Sequence, residues 1–455
     1  MKTGILNRRY IATHNSRFEG KFYLNEYAFN SMILESHQES CVKLGDIADA
    51  FNPPVFKRQF CKEEGNSIAY YQSSDIATLL KSNVYIYRGQ AEKLNLIVHE
   101  GDILIAGFGT VIGDTCIAQN IHEGTCFANN VCRVRTFDGI KKGYVAAVLK
   151  SKYGKSQLNN NASGSAIRYI EAPRIKQMLI PNFPESFQQE VDDLIQESAR
   201  LREEAAEALE EAKRLIIDFC DQPYEKSEGK NVGTISSSKL LHSLNARFDA
   251  PVYINDGVNW TKILSKETVL LGNCNIRTWY PGMFKRSYVK NGYPYIKGSE
   301  LFLSDPFRKC EQLSRSRTPK LDELWLKEGQ LLISCAGACG LVKLITKEYE
   351  EKQAIGSPDI IRLVAEDSLF TKEYLFGYLQ IPAIYDYMQS LKYGSVIERF
   401  DISNLETIPI VKPTTELSQS VTETVAKYAD CTYRGYKAEE KAISMVEQEI
   451  EKWNN

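Results

Sequence analysis

The second half of this chain restates the first at an offset of about 230 residues, and that repeat constrains the fold more than any other feature. Asn15-Ser-Arg17-Phe18-Glu19 and Tyr23 are answered by Asn245-Ala-Arg247-Phe248-Asp249 and Tyr253. Leu44-Gly45-Asp46 answers Leu271-Gly272-Asn273, and Phe56-Lys57-Arg58 answers Phe284-Lys285-Arg286. Glu100-Gly101-Asp102-Ile-Leu-Ile105 answers Glu328-Gly329-Gln330-Leu-Leu-Ile333. Ser163-Gly164-Ser165-Ala-Ile167 answers Tyr393-Gly394-Ser395-Val-Ile397, and Pro184 and Pro413 each open a long charged segment. Six matches in one order point to two related units rather than one continuous core.

With 43% hydrophobic and 25% charged residues over 455 positions, there is apolar material for more than one soluble core. The net charge of −2 excludes a chain-wide basic excess, so any polyanion binding has to arise from local clusters. Eleven cysteines include no C-x-x-C pair, and Cys335 and Cys339 have no neighbouring histidine to complete a zinc site. No metal site is expected. The odd cysteine count and the lack of a recognisable signal peptide lead us to expect reduced thiols and a cytoplasmic protein. No membrane association is expected either, because the most apolar stretch, 94–108, is broken by His99, Glu100 and Asp102.

Each half reads as a mixed, β-containing α+β domain. Residues 84–87 and 94–98 are rich in β-branched and aromatic residues and read as strands. Gly101-Asp102-Ile103-Leu104-Ile105 reads as a turn entering a buried strand, while 142–152 and 371–390 carry helical spacing. The segment 184–220 differs in kind. Val191, Leu194, Ser198, Leu201, Ala205, Ala208, Ala212, Leu215 and Phe219 follow alternating steps of three and four, a coiled-coil seam. Its helix would be on the order of 55 Å long. The matching C-terminal helix, about 416–453, shows a clear seam only through Ile443, Val446, Ile450 and Trp453, and Gly435 is expected to interrupt it. A seam requires a partner, and the other copy supplies one. Polar residues 221–238 read as a linker.

Catalytic motifs are weak. Asn52-Pro53-Pro54-Val55 resembles the N-P-P-aromatic loop of amino-methyltransferases, but Val55 cannot stack on a base and the second copy has Trp279-Tyr-Pro281-Gly instead. Ala106-Gly-Phe-Gly109-Thr-Val-Ile-Gly113 follows a strand yet leads into an extended run, so a hairpin is favoured over a cofactor loop. Pro358-Asp359 lacks the E-x-K of a nuclease core and reads as a strand start; its counterpart is Asn129-Asn130. The five histidines show no site spacing. The basic clusters are more informative. Lys57-Arg58 and Lys285-Arg286 recur in both copies; Lys297, Arg315 and Arg317 lie in a cation-rich stretch, and Arg168, Arg174 and Lys176 follow the Ser-Gly-Ser turn. Such cations neutralise phosphates, and arginine can read guanine edges bidentately. Tyr70, Tyr71, Tyr293 and Tyr295 lie nearby in sequence.

These residues together resemble the specificity subunits of type I restriction–modification systems. The run from Glu100 to Gly113 is similar to the family's G-D-I-L-I…G-T…G segment, and the joins at Ser163…Pro184 and Tyr393…Pro413 are similar to its recognition-domain-to-helix junction. Gln330 departs from the usual aspartate. The resemblance implies target-recognition domains at 1–183 and 223–412 (the latter including the linker) and conserved spacer helices at 184–222 and 413–455. The helices would pack as an antiparallel coiled coil with pseudo-two-fold symmetry. It implies a non-catalytic subunit that recognises a bipartite target in double-stranded DNA and docks two adenine-methyltransferase subunits and restriction–translocase subunits. S-adenosylmethionine, ATP and magnesium would bind those partners. Two alternatives stay open: a methyltransferase or nuclease carrying its own specificity domains, or the specificity chain of a type II-like system. A helical scaffold without salt-dependent DNA affinity is the remaining contrast.

Overall fold

The apolar run Ile103-Leu104-Ile105-Ala106 is one strand buried on both faces, which is why it lacks polar alternation. Ile103 and Ile105 enter one core, and Leu104 and Ala106 another. This comes from a computed structural model describing residues 23, 26–77, 82, 84–163, 168–226, 233–241, 247–394, 396 and 398–454. The Arg17-Phe18 opening, much of the Ser163–Ile167 and Tyr393–Ile397 turns, and parts of the linker lie outside the described residues.

The chain divides into two compact units. Unit 1 is 1–203 with 435–455, and unit 2 is 204–434. In unit 1, strands β2 (Ala48–Phe51), β6 (Ile103–Ala106), β7 (Thr115–Ile117) and β9 (Val131–Thr136) form a sheet of order β2-β9-β6-β7. A smaller sheet has order β3-β5-β4-β8, from β3 (Phe60–Cys61), β4 (Ser67–Tyr71), β5 (Tyr85–Tyr87) and β8 (Cys126–Phe127). A ribbon joins β1 (Cys41–Lys43) to β10 (Leu179–Pro181). Helix α1 (Glu26–Ser36) packs on α3 (Lys152–Asn161), which follows α2 (Lys142–Lys150).

Unit 2 repeats this strand for strand. Its main sheet is β12 (Ile276–Trp279), β19 (Ile360–Ala365), β16 (Leu331–Ser334) and β17 (Val342–Leu344), in that order. Its small sheet is β13 (Tyr288–Val289), β15 (Glu311–Leu313), β14 (Tyr293–Ile296) and β18 (Ile355–Gly356). Its ribbon pairs β11 (Thr268–Leu270) with β20 (Pro409–Val411). Every strand n of the first copy therefore has its equivalent at n plus ten. Polarity is kept: β4–β8 and β14–β18 are each the parallel pair of their small sheet. Buried Tyr144 and Tyr374 each donate to a ribbon carbonyl, Pro181 at 2.6 Å and Val411 at 2.8 Å.

Two local readings need correction. Residues 94–98 form no strand, although Leu96 and Val98 are buried. Their N–H groups go to Ala91 O and Thr125 O, leaving only an isolated bridge at Ile97. The helical stretch 371–390 is two helices, α6 (Lys372–Leu379) and α7 (Pro382–Ser390), because Pro382 starts a new one. A short helix, α5 (Asp256–Ile263), packs on α7 as α1 packs on α3.

The two long helices are α4 (Glu185–Cys220) and α8 (Thr415–Glu451). Helix α8 runs through Gly435 without a break. A Cβ there would meet Ser198 O at 3.3 Å and Leu201 Cβ at 3.4 Å, and Ser198 Oγ donates to Gly435 O at 2.7 Å. The glycine permits close approach of two helices. Within unit 1, Val191 and Ile195 of α4 share a core with Ala442, Val446 and Ile450 of α8. Within unit 2, Ala212 and Ile216 share one with Val421 and Val425. Ascending residues of α4 thus meet descending residues of α8, so the pairing is antiparallel. Leu201, Ala205 and Ala208 lie on the buried stripe. Leu194, Leu215 and Phe219 are partly buried, packed beside Ile195, Ile216 and Cys220, and Ile443 is partly buried beside Ala442. The stripe drifts because 3.6 residues per turn does not match a 3.5 repeat, and each helix also covers its own domain.

Candidate nucleic-acid interface

The recurring Lys–Arg pair sits just before the first strand of each small sheet. In unit 1, Arg58 Nε donates to Tyr70 Oη at 2.6 Å, with its guanidinium 5.8 Å from the ring centre. In unit 2, Arg286 Nε donates to Tyr295 Oη at 2.8 Å, with the corresponding distance 5.6 Å. Both tyrosines are buried. Burial raises the Tyr70 phenol above its usual range, so it remains neutral. A neutral phenol orients the guanidinium without cancelling its charge, leaving donors for a phosphate or a guanine edge. Lys57 and Lys285, one position earlier, are exposed. Two residues further on, exposed Phe60 and Tyr288 occupy equivalent strand positions.

Unit 2 gathers further cations around its small sheet. Arg315 lies 4.6 Å from the Tyr293 ring centre and donates to Gln353 Oε1 at 2.7 Å. Arg317 is exposed two residues on, and Lys297, at the end of β14, is ion-paired with Glu311. Over 280–320 there are nine Lys and Arg against three Asp and Glu; over the equivalent 52–93 there are six against four. The remaining predicted cations sit elsewhere. Arg168 donates to Asn159 O and Arg174 Nη1 to Asn161 O at 2.8 Å, so both meet carbonyls at the end of α3. Lys176 pairs with Asp49 of β2 at 2.8 Å.

Sequence reasoning missed the most buried charges. Arg133 of β9 and Arg362 of β19 are fully buried at equivalent positions. Arg133 donates to the carbonyls of Ala128, Val131, Leu96 and Phe127 at 2.6–3.0 Å. Arg362 donates to Ser357, Ile360 and Gly356 at 2.6–2.8 Å. Burial lowers both to about 10, so they stay charged at neutral pH, held by carbonyl dipoles instead of a carboxylate. The available signal was an arginine two or three residues into an apolar strand, in Val131-Cys-Arg133 and Ile360-Ile-Arg362. These forks tie the strand pairing with the small sheet to the main sheet. Asp102 and Gln330 also share a task, accepting from His99 N at 3.1 Å and Lys327 N at 3.1 Å.

The motifs resembling enzymes have structural partners. Asn52 Oδ1 accepts from Ala172 N at 2.9 Å. The Gly-rich run is the β6–β7 hairpin, Ile103 opposite Ile117, with Gly109 and Gly113 at positive φ. Burial pushes the thiols of Cys116, Cys126 and Cys132 up to about 12 and that of Cys335 up to about 11, so they are protonated at neutral pH. Among the described residues no His, Cys, Asp or Glu group is arranged to hold a metal ion, and no helix is long and apolar enough to cross a membrane.

Residues 281–433, most of the second copy, match the family model of the type I restriction modification DNA specificity domain. That match covers about a third of the chain and places a domain of this DNA specificity family in its second copy. The chain is also similar to the type I restriction–modification S subunit of M. genitalium, with 14% identity over 90% of this chain and 94% of that one, at a TM-score of 0.35. For the HsdS subunit of Thermoanaerobacter tengcongensis the values are 14%, 90%, 95% and 0.28. For a structure describing complex assembly and conformational transition of the type I R-M system they are 14%, 91%, 96% and 0.28. No curated protein sequence matches.

Proposed function

We propose that each unit of this specificity subunit reads one half of a bipartite target in double-stranded DNA. The observation that carries this reading is the duplicated Arg–Tyr anchor, Arg58–Tyr70 and Arg286–Tyr295, at the edge of small sheets whose remaining surface residues differ. A common anchor suits the common phosphate backbone, and divergent surroundings suit two different half-sites. Lys57, Lys285, Lys297, Arg315 and Arg317 add phosphate neutralisation, and Arg168, Arg174 and Lys176 contribute at the margin. Helices α4 and α8 act as the spacer between half-sites. The repeat offers two equivalent docking positions to two adenine-methyltransferase subunits, which the restriction–translocase subunits join. S-adenosylmethionine, ATP and magnesium bind those partners.

The test is co-expression with the neighbouring methyltransferase in a host lacking other adenine methylation, followed by mapping of methylated adenines. A split motif with a gap of constant length is expected. A continuous motif, or methylation by this chain without its partner, contradicts the reading.

A further inference from the structure

Unit 2 contains a cleft of about 210 Å³ beside its Lys–Arg pair, lined by Tyr280, Met283, Asp359, Tyr393, Arg399 and Asp401 among others. Large apolar side chains stand exposed at its rim: Met283 is 75% exposed, and Tyr280 and Tyr393 about half. Cations surround it. Arg399 and Lys285 are exposed, and Lys320 Nζ lies 3.3 Å from where a Cβ on Gly282 would stand. These neighbouring cations favour a polyanion, while the two lining carboxylates and the apolar rim suit bases more than phosphates.

Two carboxylates face the cleft in different states. Asp401 Oδ1 accepts from Asn404 N at 3.0 Å and from Ser403 Oγ at 2.7 Å, and so caps a helical turn. Asp359 donates its backbone N–H to Ser357 Oγ at 3.3 Å, but its carboxylate accepts no hydrogen bond from a described residue. The Asp359 charge acts on nearby Arg286, but no described donor bonds its oxygens, and a carboxylate in a phosphate-binding surface is unfavourable unless a donor meets it. In the major groove such donors are the exocyclic amino groups of cytosine and adenine. At the equivalent position of unit 1, Asn130 turns inward, and its Nδ2 donates to Ser73 Oγ at 3.2 Å. The two copies therefore differ at this point in both charge and direction.

We infer that Asp359 is a specificity-determining residue, accepting a hydrogen bond from the amino group of a cytosine or adenine in the half-site read by unit 2, with Met283 packed against the neighbouring base. This rests on the proposed reading of one half-site per unit. Pro358-Asp359, which as a nuclease motif leads nowhere, then has a role in base readout.

The test uses the full chain with its methyltransferase partner, comparing methylated-site maps for wild type, Asp359→Asn, Asp359→Ala and Met283→Ala. A wild-type map without a bipartite motif overturns the proposed function itself. Given that motif, Asp359→Asn is expected to reduce discrimination at one position of one half-site on the order of 10-fold or more, leaving the other half-site unchanged. The position lost identifies the base as cytosine or adenine. Met283→Ala, at a largely exposed position, should weaken preference at an adjacent position of the same half-site. The inference is overturned if the Asp359 variants keep the wild-type motif, or if they lower methylation equally at every site with the motif intact. It is also overturned if Met283→Ala alters the other half-site.

Discussion

The two copies agree in every strand pairing and part company where the long helices meet them. In unit 1, Glu439 of α8 is buried between Lys150 and Arg202, its Oε2 beside Arg202 Nη1 at 2.5 Å. The positions of unit 2 equivalent to Lys150 and Arg202 hold Gln380 and Thr432. One unit thus meets its helices through an ionic triad and the other through neutral side chains. The sheets tolerate this because backbone pairing, the buried arginine forks and apolar cores hold them. The helix contacts are free to diverge, and a buried charge set in one copy alone makes the two helix ends non-equivalent.

The largest expected effect tests that difference. Glu439→Gln leaves Lys150 and Arg202 buried without a counter-charge and should destabilise unit 1 by roughly 3–5 kcal/mol, read by urea denaturation. Burial alone would push the Glu439 carboxyl up, yet Arg202 and Lys150 hold it far below the usual carboxylate range. The stabilisation is therefore complete above the unfolded carboxylate pKa and is lost as the pH falls below it towards the folded value. Wild-type unit 1 should lose stability on acidification more steeply than the variant. Equal slopes would show that the triad does not stabilise unit 1 in this way.

Next in size are the arginine forks, where the copies should behave alike. Arg133→Leu or Arg362→Leu orphans several buried carbonyls and should cost about 3 kcal/mol, more for Arg133, which serves four of them. Lysine should not restore either, because one ammonium cannot reproduce the fork. Rescue by lysine in thermal melts would show that charge alone matters.

How much of this was legible in the sequence depended on whether a feature leaves a pattern. The repeat, the buried strand at Ile103–Ala106 and the long helices were visible because apolar spacing and turn residues are local signals. The seam of α8 was faint because its buried positions include Ser418, Cys431, Gly435 and Glu439, which no apolar periodicity marks. Gly435 looked like a break for the same reason, since propensity cannot see the neighbouring helix that requires a missing Cβ. The Lys–Arg repeats were found, but the tyrosines that orient them lie 12 and nine residues away, joined only through sheet pairing. Arg133 and Arg362 were hidden because an arginine in a strand is usually read as surface charge.

Gly435 offers a smaller test. Gly435→Leu should cost roughly 1–3 kcal/mol by forcing the helices apart at Ser198 and Leu201. Gly435→Ala should be near neutral, because a gain of up to about 1 kcal/mol in helix propensity offsets contacts of 3.3–3.4 Å. A large loss with alanine would place the tolerance of this crossing below a single methyl group.

The smallest effects separate orientation from charge at the shared anchor. Tyr70→Phe and Tyr295→Phe remove one hydrogen bond each and keep every cation, so DNA affinity should fall only a few-fold, about 1 kcal/mol. The slope of log affinity against log salt should not change, because it counts neutralised phosphates. Lys285→Ala and Arg286→Ala should each lower that slope by about one. Arg286 is half-buried against Tyr295, whereas Arg58 is exposed. If packing already orients Arg286, Tyr295→Phe will weaken binding less than Tyr70→Phe does. Equal losses would assign the orientation to the phenol in both copies, and a changed slope in either would mean that the tyrosine governs whether the arginine reaches phosphate at all.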